Sequence, residues 1–276
     1  DLLDYMKEYQ KSAWWSHVIG APFKVLGWVM SIGKEKEVDV DIPVCYVKNS
    51  RRTIAKMACR YYDNPSEKFS LIGVTGTNGK TTSCFILKSI LDGMGHKTGL
   101  IGTVKNIVGD KEYPAVLTTP DCYDLFALFK EMVESGCEFC TMEVSSQALM
   151  HNRVDGLPFE VTAFTNLSPD HIGEGEHSDF EDYKNAKKRL FDRFGARCVV
   201  YNADDEVSEY MISGHKGATL SFSIENKGEL CATTPELFRG ETSLGIAFDS
   251  IQNGDTVPVR LMSPGAFSVY NGLCAF

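Results

Sequence analysis

A glycine-rich turn followed by lysine and threonine is the part of the sequence best suited to chemistry. The stretch L71-I-G-V-T-G-T-N-G-K-T-T82 joins an apolar run to Lys80 and Thr81. Glycines let backbone N–H groups turn inward, and a helix that begins there adds partial positive charge. The lysine can reach the outer phosphates of a nucleotide, and the threonine hydroxyl can ligate Mg²⁺. The turn therefore predicts a phosphate-binding loop, although Val74 stands where the pattern G-x-x-x-x-G-K-[ST] has glycine.

Polar residues also follow two other apolar runs. Glu143 comes directly after Met142, and Asp170 and His171 close the segment T165-N-L-S-P-D-H171. Ligands of open α/β sheets collect at the carboxyl ends of the strands. If both runs are strands of one sheet, we expect their ends to meet the glycine turn at a common edge.

Lys187 lies in the middle of an apolar stripe on a predicted helix over residues 179–195. The stripe has helical spacing and consists of Phe180, Tyr183, Leu190, Phe191 and Phe194. A lysine in that position must extend to solvent, pair with a partner or change its charge. The residues alone leave these three outcomes open.

The elements that must position these residues alternate along the chain from Phe69 onward. We predict helices over residues 50–62, 79–94, 123–133, 179–195 and 203–212, and strands over residues 41–47, 69–74, 98–104, 137–144, 159–165 and 197–201. Residues 63–68 are interpreted as a linker, and after about residue 217 we expect only short strands. The predicted fold class is α/β: a mostly parallel P-loop-type sheet flanked by helices, with an antiparallel appendage.

The expected core residues follow from the same periodicity. On helix 50–62 they are Ile54, Met57, Ala58 and Tyr61, and on helix 79–94 they are Phe85, Leu87, Ile90, Leu91 and Met94.

Composition and charge narrow the class of protein. Hydrophobic residues make up 43% and charged residues 24% of the chain, which is typical of a globular protein with a full core. The 28 basic and 37 acidic residues leave a net charge of -9, which argues against broad binding of nucleic acid. The most apolar segment, residues 14–30, is interrupted by His17, Pro22 and Lys24, so we expect no membrane contact.

Cysteine usage points to a reducing compartment. The 9 cysteines show no regular spacing, which suggests free thiols in a cytoplasmic protein. Cys137 and Cys140 form a C-x-x-C pair without partners for a metal site, and we interpret them as apolar residues entering a strand.

Several motifs, in order and spacing, resemble those of the Mur ligase family, the ATP-dependent amide ligases of peptidoglycan precursor synthesis. They are T75-G-T-N-G-K-T-T82, T118-T-P-D121, M142-E-V-S-S-Q-A-L149, N152-R-V154, F164-T-N-L-S-P-D-H171, Y183-x-x-A-K-x-x-L-F191 and N202-A-D-D-E206. The motifs are most similar to those of the subfamily of UDP-N-acetylmuramoyl-tripeptide synthetases. These enzymes add lysine or meso-diaminopimelate to UDP-N-acetylmuramoyl-L-Ala-D-Glu.

The resemblance implies a reaction and the residues that bind its nucleotide. A carboxylate of UDP-N-acetylmuramoyl-dipeptide attacks the γ-phosphate of ATP, and the amine of the incoming amino acid then displaces phosphate from the acyl phosphate. The implied ATP-binding residues are Gly76, Thr77, Asn78, Gly79, Lys80, Thr81, Thr82 and Asn271.

The remaining implied roles concern metal, catalysis and the UDP-sugar peptide. The implied Mg²⁺ ligands are Thr81, Glu143, His171 and a carbamylated Lys187, in which the amine has become a carboxylate. The implied catalytic residues are Lys80, Lys187 and His171. The implied substrate-binding residues are Thr118, Thr119, Ser145, Arg153 and Asn166.

The sequence also departs from the family pattern. Gln147 replaces a usual histidine, and I172-G-E-G-E-H177 replaces a leucine-aspartate-tyrosine-histidine-glycine stretch. We expect residues 1–66 to form an atypical, shortened N-terminal domain and residues 67–276 the central ATP-binding domain. The family's C-terminal Rossmann-like domain is expected to be absent, so the chain alone would ligate poorly.

Two alternatives stay open. A folylpolyglutamate synthase-like ligase has a similar turn, but it usually carries Gly-Lys-Gly-Ser where this chain has Gly79, Lys80, Thr81 and Thr82. A non-catalytic, nucleotide-gated partner module is the second alternative, favoured by the unusual ends of the chain.

Overall fold

The architecture is an α/β sheet whose centre is parallel and whose two edges are antiparallel. The computed structural model describes residues 47–173, 176–239 and 244–276. Their strands form one 12-stranded sheet in the order β10-β11-β9-β8-β7-β6-β1-β5-β2-β3-β4, with β12 paired to β11. The predicted fold class is confirmed.

The bounds of the elements agree with most of the predicted ones. The strands are β1 Ser70–Thr75, β2 Thr98–Ile101, β3 Lys105–Val108, β4 Lys111–Pro114, β5 Phe139–Glu143, β6 Phe159–Phe164, β7 Cys198–Asn202, β8 Ala218–Ser223, β9 Leu230–Ala232, β10 Glu236–Arg239, β11 Leu244–Gln252 and β12 Asp255–Leu261. The helices are α1 Ser50–Tyr61, α2 Lys80–Gly93, α3 Cys122–Glu134, α4 Ser146–Met150, α5 Phe180–Arg193, α6 Ser208–Ile212 and α7 Ala266–Ala275.

Strand register brings the polar strand ends to one edge, as expected from the sequence. In the parallel pairs, Val74 of β1 lies opposite Glu143 of β5, and Thr75 lies opposite Phe164 of β6. The chain therefore leaves β1, β5 and β6 at the same level. The glycine turn, Glu143 and the segment after Phe164 lie side by side for that reason.

Buried side chains form two apolar clusters, because neighbouring residues of a strand point to opposite faces of the sheet. Ile101 of β2 packs with α3 residues such as Phe126 and Phe129 in one cluster. Leu100, the preceding residue, packs with Cys84 of α2 and Leu273 of α7 in the other. Helices thus cover both faces and leave the carboxyl edge of the sheet for the site.

Three predicted elements need correction. The helix predicted over residues 203–212 is only Ser208–Ile212, because Asp204 accepts the Ile224 N–H and Asp205 accepts the N–H groups of Leu167 and Val207. The chain after residue 217 is not all strand, since Ala266–Ala275 is helical and packs its apolar residues under the sheet. The predicted linker contains a short 3-10 helix, Pro65–Glu67, with Pro65 and Ser66 buried.

The predicted helix faces are partly wrong. Met94 is 68% exposed at the end of α2, whereas the small residues Ser83 and Cys84 are buried. On α1 the buried residues are Ala55 and Ala58, while Met57 and Tyr61 are exposed. In both helices small residues allow close packing, so the large apolar residues fall at the margin of the contact.

Four further predictions concern the end of β2, the N-terminal residues, the cysteine pair and membrane-spanning helices. The strand predicted over residues 98–104 ends at Ile101, and the antiparallel hairpin of β3 and β4 follows at a second edge that the sequence did not predict. Residues 1–46, which include most of the predicted strand 41–47, are not among the described residues. Cys137 and Cys140 are buried in the core without a disulfide. Among the described helices, none is long and apolar enough to cross a bilayer.

Candidate active site

The glycine turn after β1 is held by the segment that follows β6. Gly76 has a φ of +150°, and a Cβ there would lie 2.0 Å from the Thr165 hydroxyl oxygen. Thr77 donates its N–H to the Asn166 carbonyl at 2.8 Å, and the Thr165 hydroxyl donates to the Asn78 carbonyl at 2.7 Å. Only glycine at position 76 therefore allows the ends of β1 and β6 to approach this closely.

Lys80 begins helix α2 and folds back over the turn. Its Nζ donates to the carbonyls of Gly76 at 2.8 Å and Thr77 at 2.9 Å. Burial lowers the pKa of Lys80, while the nearby Glu143 carboxylate opposes that shift. The ammonium group thus lies over the carbonyl groups of the loop.

Lys187 is buried at the centre of the α5 stripe, as the sequence placed it. Its side chain is 1% exposed, so it does not extend to solvent. Nζ donates to the Gly76 carbonyl at 2.8 Å and lies 4.5 Å from the centre of the Tyr183 ring. Burial, followed by the charge of Lys80, holds the pKa of Lys187 well below its ordinary value. Two lysines from different helices therefore donate to one carbonyl of the turn.

Glu143 and Thr81 form a compact group of oxygen atoms beside the turn. The Thr81 hydroxyl donates to Glu143 Oε2 at 2.8 Å, and the Glu143 side chain is 1% exposed. A hydroxyl that donates its hydrogen retains lone pairs, so Thr81 and Glu143 can offer oxygen to the same cation. Mg²⁺ prefers oxygen ligands, and this donor set fits it.

Three of the predicted substrate-binding residues, Thr119, Ser145 and Arg153, lie near the end of β5. The Thr119 hydroxyl donates to the Glu143 carbonyl at 2.8 Å and accepts the Ser145 N–H at 3.0 Å. The Ser145 hydroxyl caps helix α4 by accepting the Ala148 N–H at 3.2 Å. Arg153 Nε lies 2.8 Å from Asp121 Oδ1. The structure therefore brings Thr119, Ser145 and Arg153 together, each already engaged with a neighbour.

Asn166 and Asn271 both lie against the glycine turn. Asn166 Oδ1 accepts the Asn78 N–H at 3.0 Å, and its Nδ2 donates to the Asn78 carbonyl at 3.0 Å. Asn271 on α7 lies beside Gly79, where a Cβ would come within 2.3 Å of Asn271 Oδ1. Thr82 is in the first turn of α2 and only partly buried. Asn166 thus fixes the shape of the loop in this structure.

His171 lies on an exposed loop with left-handed backbone, at φ 53°. Its Nδ1 is 3.1 Å from Glu176 Oε1, and its Nε2 is 3.7 Å from Asp170 Oδ2. Among its described contacts none reaches Glu143, but its ring lies 6.0 Å from the Tyr183 ring that also contacts Lys187. His171 and Lys187 therefore share Tyr183 as a neighbour, and no described contact joins His171 to the group around Glu143.

Sequence reasoning missed several residues that hold the site. Tyr183 was assigned to the core, yet its hydroxyl lies 3.2 Å from the Thr77 hydroxyl of the turn. Asn202 donates to the Thr165 carbonyl at 2.9 Å, and Asp205 accepts the Leu167 N–H at 2.8 Å. Their position at the end of β7 could have indicated them, since β7 neighbours β6. These residues support the segment that cradles the turn.

His151 at the end of α4 gives a prediction for acid stability. Burial and the charges of Arg51 and Arg153 lower the pKa of His151 to about 4; His177 adds to this and Asp121 opposes it. Since the unfolded chain binds more protons than the folded chain between about pH 6.5 and 4, stability should be lost as the pH falls through that window. His151→Gln should recover about 1 kcal/mol at pH 4.5, because solvent screens a partly exposed ring.

Urea unfolding between pH 4 and 7 measures this effect. His215→Gln, at the surface turn before β8, is the matched control. Equal acid destabilisation of the parent and His151→Gln chains would contradict the prediction.

Comparisons with known proteins agree with this geometry. A family model described as the Mur ligase middle domain matches residues 74–276. The UDP-N-acetylmuramoyl-L-alanyl-D-glutamate--2,6-diaminopimelate ligase of Clostridium perfringens is 38% identical over 267 residues, which cover 94% of this chain and 53% of that protein. The ligase of the same name from Geobacillus thermodenitrificans is 40% identical over 253 residues, which cover 89% of this chain and 50% of that protein. The chain thus spans about half the length of the curated relatives that it matches.

A solved structure gives the same picture at the level of the fold. A structure of UDP-N-acetylmuramoyl-L-alanyl-D-glutamate--2,6-diaminopimelate ligase superposes with a TM-score of 0.75 and 26% identity, covering 87% of this chain and 49% of that chain.

Proposed function

Because the chain belongs to the Mur ligase family, we propose that it takes part in ATP-dependent amide bond formation during peptidoglycan precursor synthesis. The proposed acceptor is UDP-N-acetylmuramoyl-L-Ala-D-Glu, to which the third amino acid is added. The curated relatives are named diaminopimelate ligases, so meso-diaminopimelate is the first amino acid to test, with lysine beside it.

One observation carries this proposal: Lys80 and Lys187 both donate to the Gly76 carbonyl beside the group formed by Thr81 and Glu143. Phosphoryl transfer brings anionic groups together, so catalysis depends on positioning and on charge stabilisation. Here the positively charged Lys80 lies beside Thr81 and Glu143, whose oxygen atoms can bind a divalent cation. This combination supports a nucleotide phosphate site.

The proposed nucleotide contacts are those of the turn. Lys80 would exchange its carbonyl partners for phosphate oxygens, and the N–H groups of the turn would bind the same phosphates. Mg²⁺ held by Thr81 and Glu143 would supply neutralisation of phosphate charge. Asn271 is placed beside the turn on α7, where we propose that it contacts the nucleoside.

The proposed reaction has two steps. A carboxylate oxygen of the acceptor forms a bond to the γ-phosphorus of ATP, and the bond to the leaving ADP oxygen breaks. The amine of the incoming amino acid then attacks the acyl carbon, phosphate leaves, and the amine loses a proton. We assign Thr118, Thr119, Ser145, Arg153 and Asn166 to positioning the acceptor. The contribution of these residues is orientation of the reacting groups.

Lys187 is proposed to carry a carbamate. The free amine attacks CO₂, a nitrogen–carbon bond forms and one proton is released, so that the side chain becomes an anion. Its burial argues against a permanent ammonium group, because a buried charge needs a partner of opposite sign. With His171, the modified side chain is proposed to support a second Mg²⁺.

We further propose that residues 67–276 act as the ATP-binding unit and that residues 1–66 form a separate N-terminal unit. The chain is proposed to act in the cytoplasm, where the nucleotide and UDP-linked acceptor are supplied.

Calorimetry with the acceptor tests the proposed function. We expect UDP-N-acetylmuramoyl-L-Ala-D-Glu to bind when ADP and millimolar Mg²⁺ are present, and we expect ADP and Mg²⁺ alone to bind as well. ADP release is then followed with lysine or diaminopimelate.

Each other outcome has a separate meaning. No nucleotide binding would overturn the assignment. Nucleotide-dependent binding to another protein, without affinity for the UDP-sugar, would favour the non-catalytic module. Turnover with a folate substrate in place of the UDP-sugar would favour the folylpolyglutamate synthase-like reaction.

A further inference from the structure

Glu143 has a second neighbour besides Thr81, and it comes from a strand end that the sequence did not indicate. Thr103 lies two residues beyond β2, which neighbours β5 in the sheet. Its N–H donates to Glu143 Oε1 at 2.8 Å, and its hydroxyl donates to Glu143 Oε2 at 3.1 Å. One residue therefore contacts both carboxylate oxygens.

Gly102 makes this contact sterically feasible. A Cβ at Gly102 would lie 2.3 Å from Glu143 Oε1 and 3.1 Å from the carboxylate carbon. That separation is too short for any side chain, and the carboxylate would have to move. The segment Gly102–Thr103 thus packs against the Glu143 carboxylate. Gly102 leaves room for the carboxylate because it has no side chain, and Thr103 supplies two hydrogen-bond donors.

We propose that Thr103 is a positioning residue that fixes the orientation of the Glu143 carboxylate for a divalent cation. This inference rests on the proposed function of the site. A buried carboxylate needs hydrogen bonds, and the donors to this one are Thr103 N–H, the Thr103 hydroxyl and the Thr81 hydroxyl. Groups that hold a metal ligand in place typically change metal affinity about 10–100-fold when removed.

The same residue links Glu143 to the proposed acceptor site. The hydroxyl oxygens of Thr103 and Thr118 lie 3.0 Å apart. An ionised carboxylate can only accept, and a hydroxyl has one hydrogen, so a Thr103 hydroxyl that donates to Glu143 must accept from Thr118. Thr118 thereby orients the Thr103 hydroxyl, and the chain Thr118, Thr103, Glu143 joins the two proposed sites.

The test uses Mn²⁺ as the probe, with ADP at saturating concentration. Binding is measured by electron paramagnetic resonance of free Mn²⁺, which needs no turnover. The same ADP solution without protein is subtracted, because ADP itself binds Mn²⁺. Thr103→Val keeps the N–H and the shape but loses the hydroxyl, and it should weaken Mn²⁺ binding about 10-fold. Thr103→Ser keeps both donors and should bind Mn²⁺ nearly as the parent does. Gly102→Ala should weaken binding more than Thr103→Val.

Two measurements and a control variant separate positioning from folding. Thr103 is an exposed residue, so thermal unfolding of Thr103→Val should resemble that of the parent. Thr219→Val, an exposed residue of β8, is the matched control. Where ADP release is measurable, Thr103→Val should raise the Mg²⁺ concentration for half-maximal rate while affecting the rate at saturating Mg²⁺ less.

Failure of this inference differs from failure of the proposed function. If the parent chain binds Mn²⁺ with ADP and Thr103→Val binds it equally tightly, Thr103 does not position Glu143 and only this inference is overturned. If the parent chain binds no Mn²⁺ with ADP, the proposed site itself is overturned.

Discussion

Replacing Lys80 by methionine should lower the rate of ADP release about 10²–10³-fold, the effect of removing one donor that stabilises charge in a transition state. Methionine has a similar length but cannot donate to phosphate. In the structure the Lys80 Nζ donates to two carbonyls of the turn. When a nucleotide binds, phosphate oxygens are expected to replace these carbonyls as its hydrogen-bond acceptors. Calorimetry should also show weaker binding of ATP analogues, about 10–100-fold for loss of a charge-assisted hydrogen bond.

Folding of this variant should change little. The variant loses the hydrogen bonds from Lys80 to the Gly76 and Thr77 carbonyls, but the Gly76 carbonyl keeps Lys187 as a donor. Only the Thr77 carbonyl loses its lysine partner, so we expect a cost of about 1 kcal/mol. Lys88→Met is the control, since Lys88 lies on the same helix and pairs with Asp92 at 2.6 Å, away from the turn. Unchanged nucleotide affinity and unchanged ADP release in Lys80→Met would contradict the role of Lys80.

Lys187→Met should have the second large effect, a loss of about 10²-fold in ADP release, if a carbamate on Lys187 supports metal. Binding of ADP without metal should change little, because the variant leaves Lys80 and the turn in place. Carbon NMR in labelled bicarbonate should show a carbamate signal in the parent chain and none in Lys187→Met. Lys188→Met, whose lysine pairs with Asp192 at 2.5 Å, should keep the signal.

The same variant has an expected effect on stability in buffer free of CO₂. Burial lowers the folded pKa of Lys187 below its ordinary value of 10.5, so the unfolded chain binds more protons between those two pKa values. Stability of the parent chain therefore rises as the pH rises through this window. The stability advantage of Lys187→Met over the parent, measured as the difference in their free energies of unfolding, should grow as the pH falls below 10.5. It should then level off. A difference that does not vary with pH would show that Lys187 keeps its charge on folding.

The glycine turn and the Lys187 stripe illustrate what could be predicted from sequence. Both are local patterns: a strand, glycines and a helix start in one case, and helical spacing in the other. Each places a side chain by short-range geometry, and the structure finds Lys80 at the start of α2 and Lys187 buried on α5. The alternation of strands and helices predicted the parallel centre of the sheet in the same way.

Errors arose where a contact with a distant part of the chain decided the outcome. Helix 203–212 was predicted too long because Asp204 and Asp205 bond to Ile224 and Leu167, far from them in sequence. Thr103 was placed inside a strand, and its contact with Glu143 was not foreseen. The capping of α4 by the Ser145 hydroxyl was likewise not foreseen.

The sequence by itself determined the glycine turn before α2, the alternation of central strands and helices along the chain, and the apolar face around Lys187, because each depends on residues a few positions apart. Only the tertiary structure decided that Lys80 and Lys187 donate to the same carbonyl and that Thr103 contacts both oxygens of Glu143. Those contacts depend on which strands become neighbours and in what register. The register is fixed by packing of the whole sheet, which a local pattern does not contain.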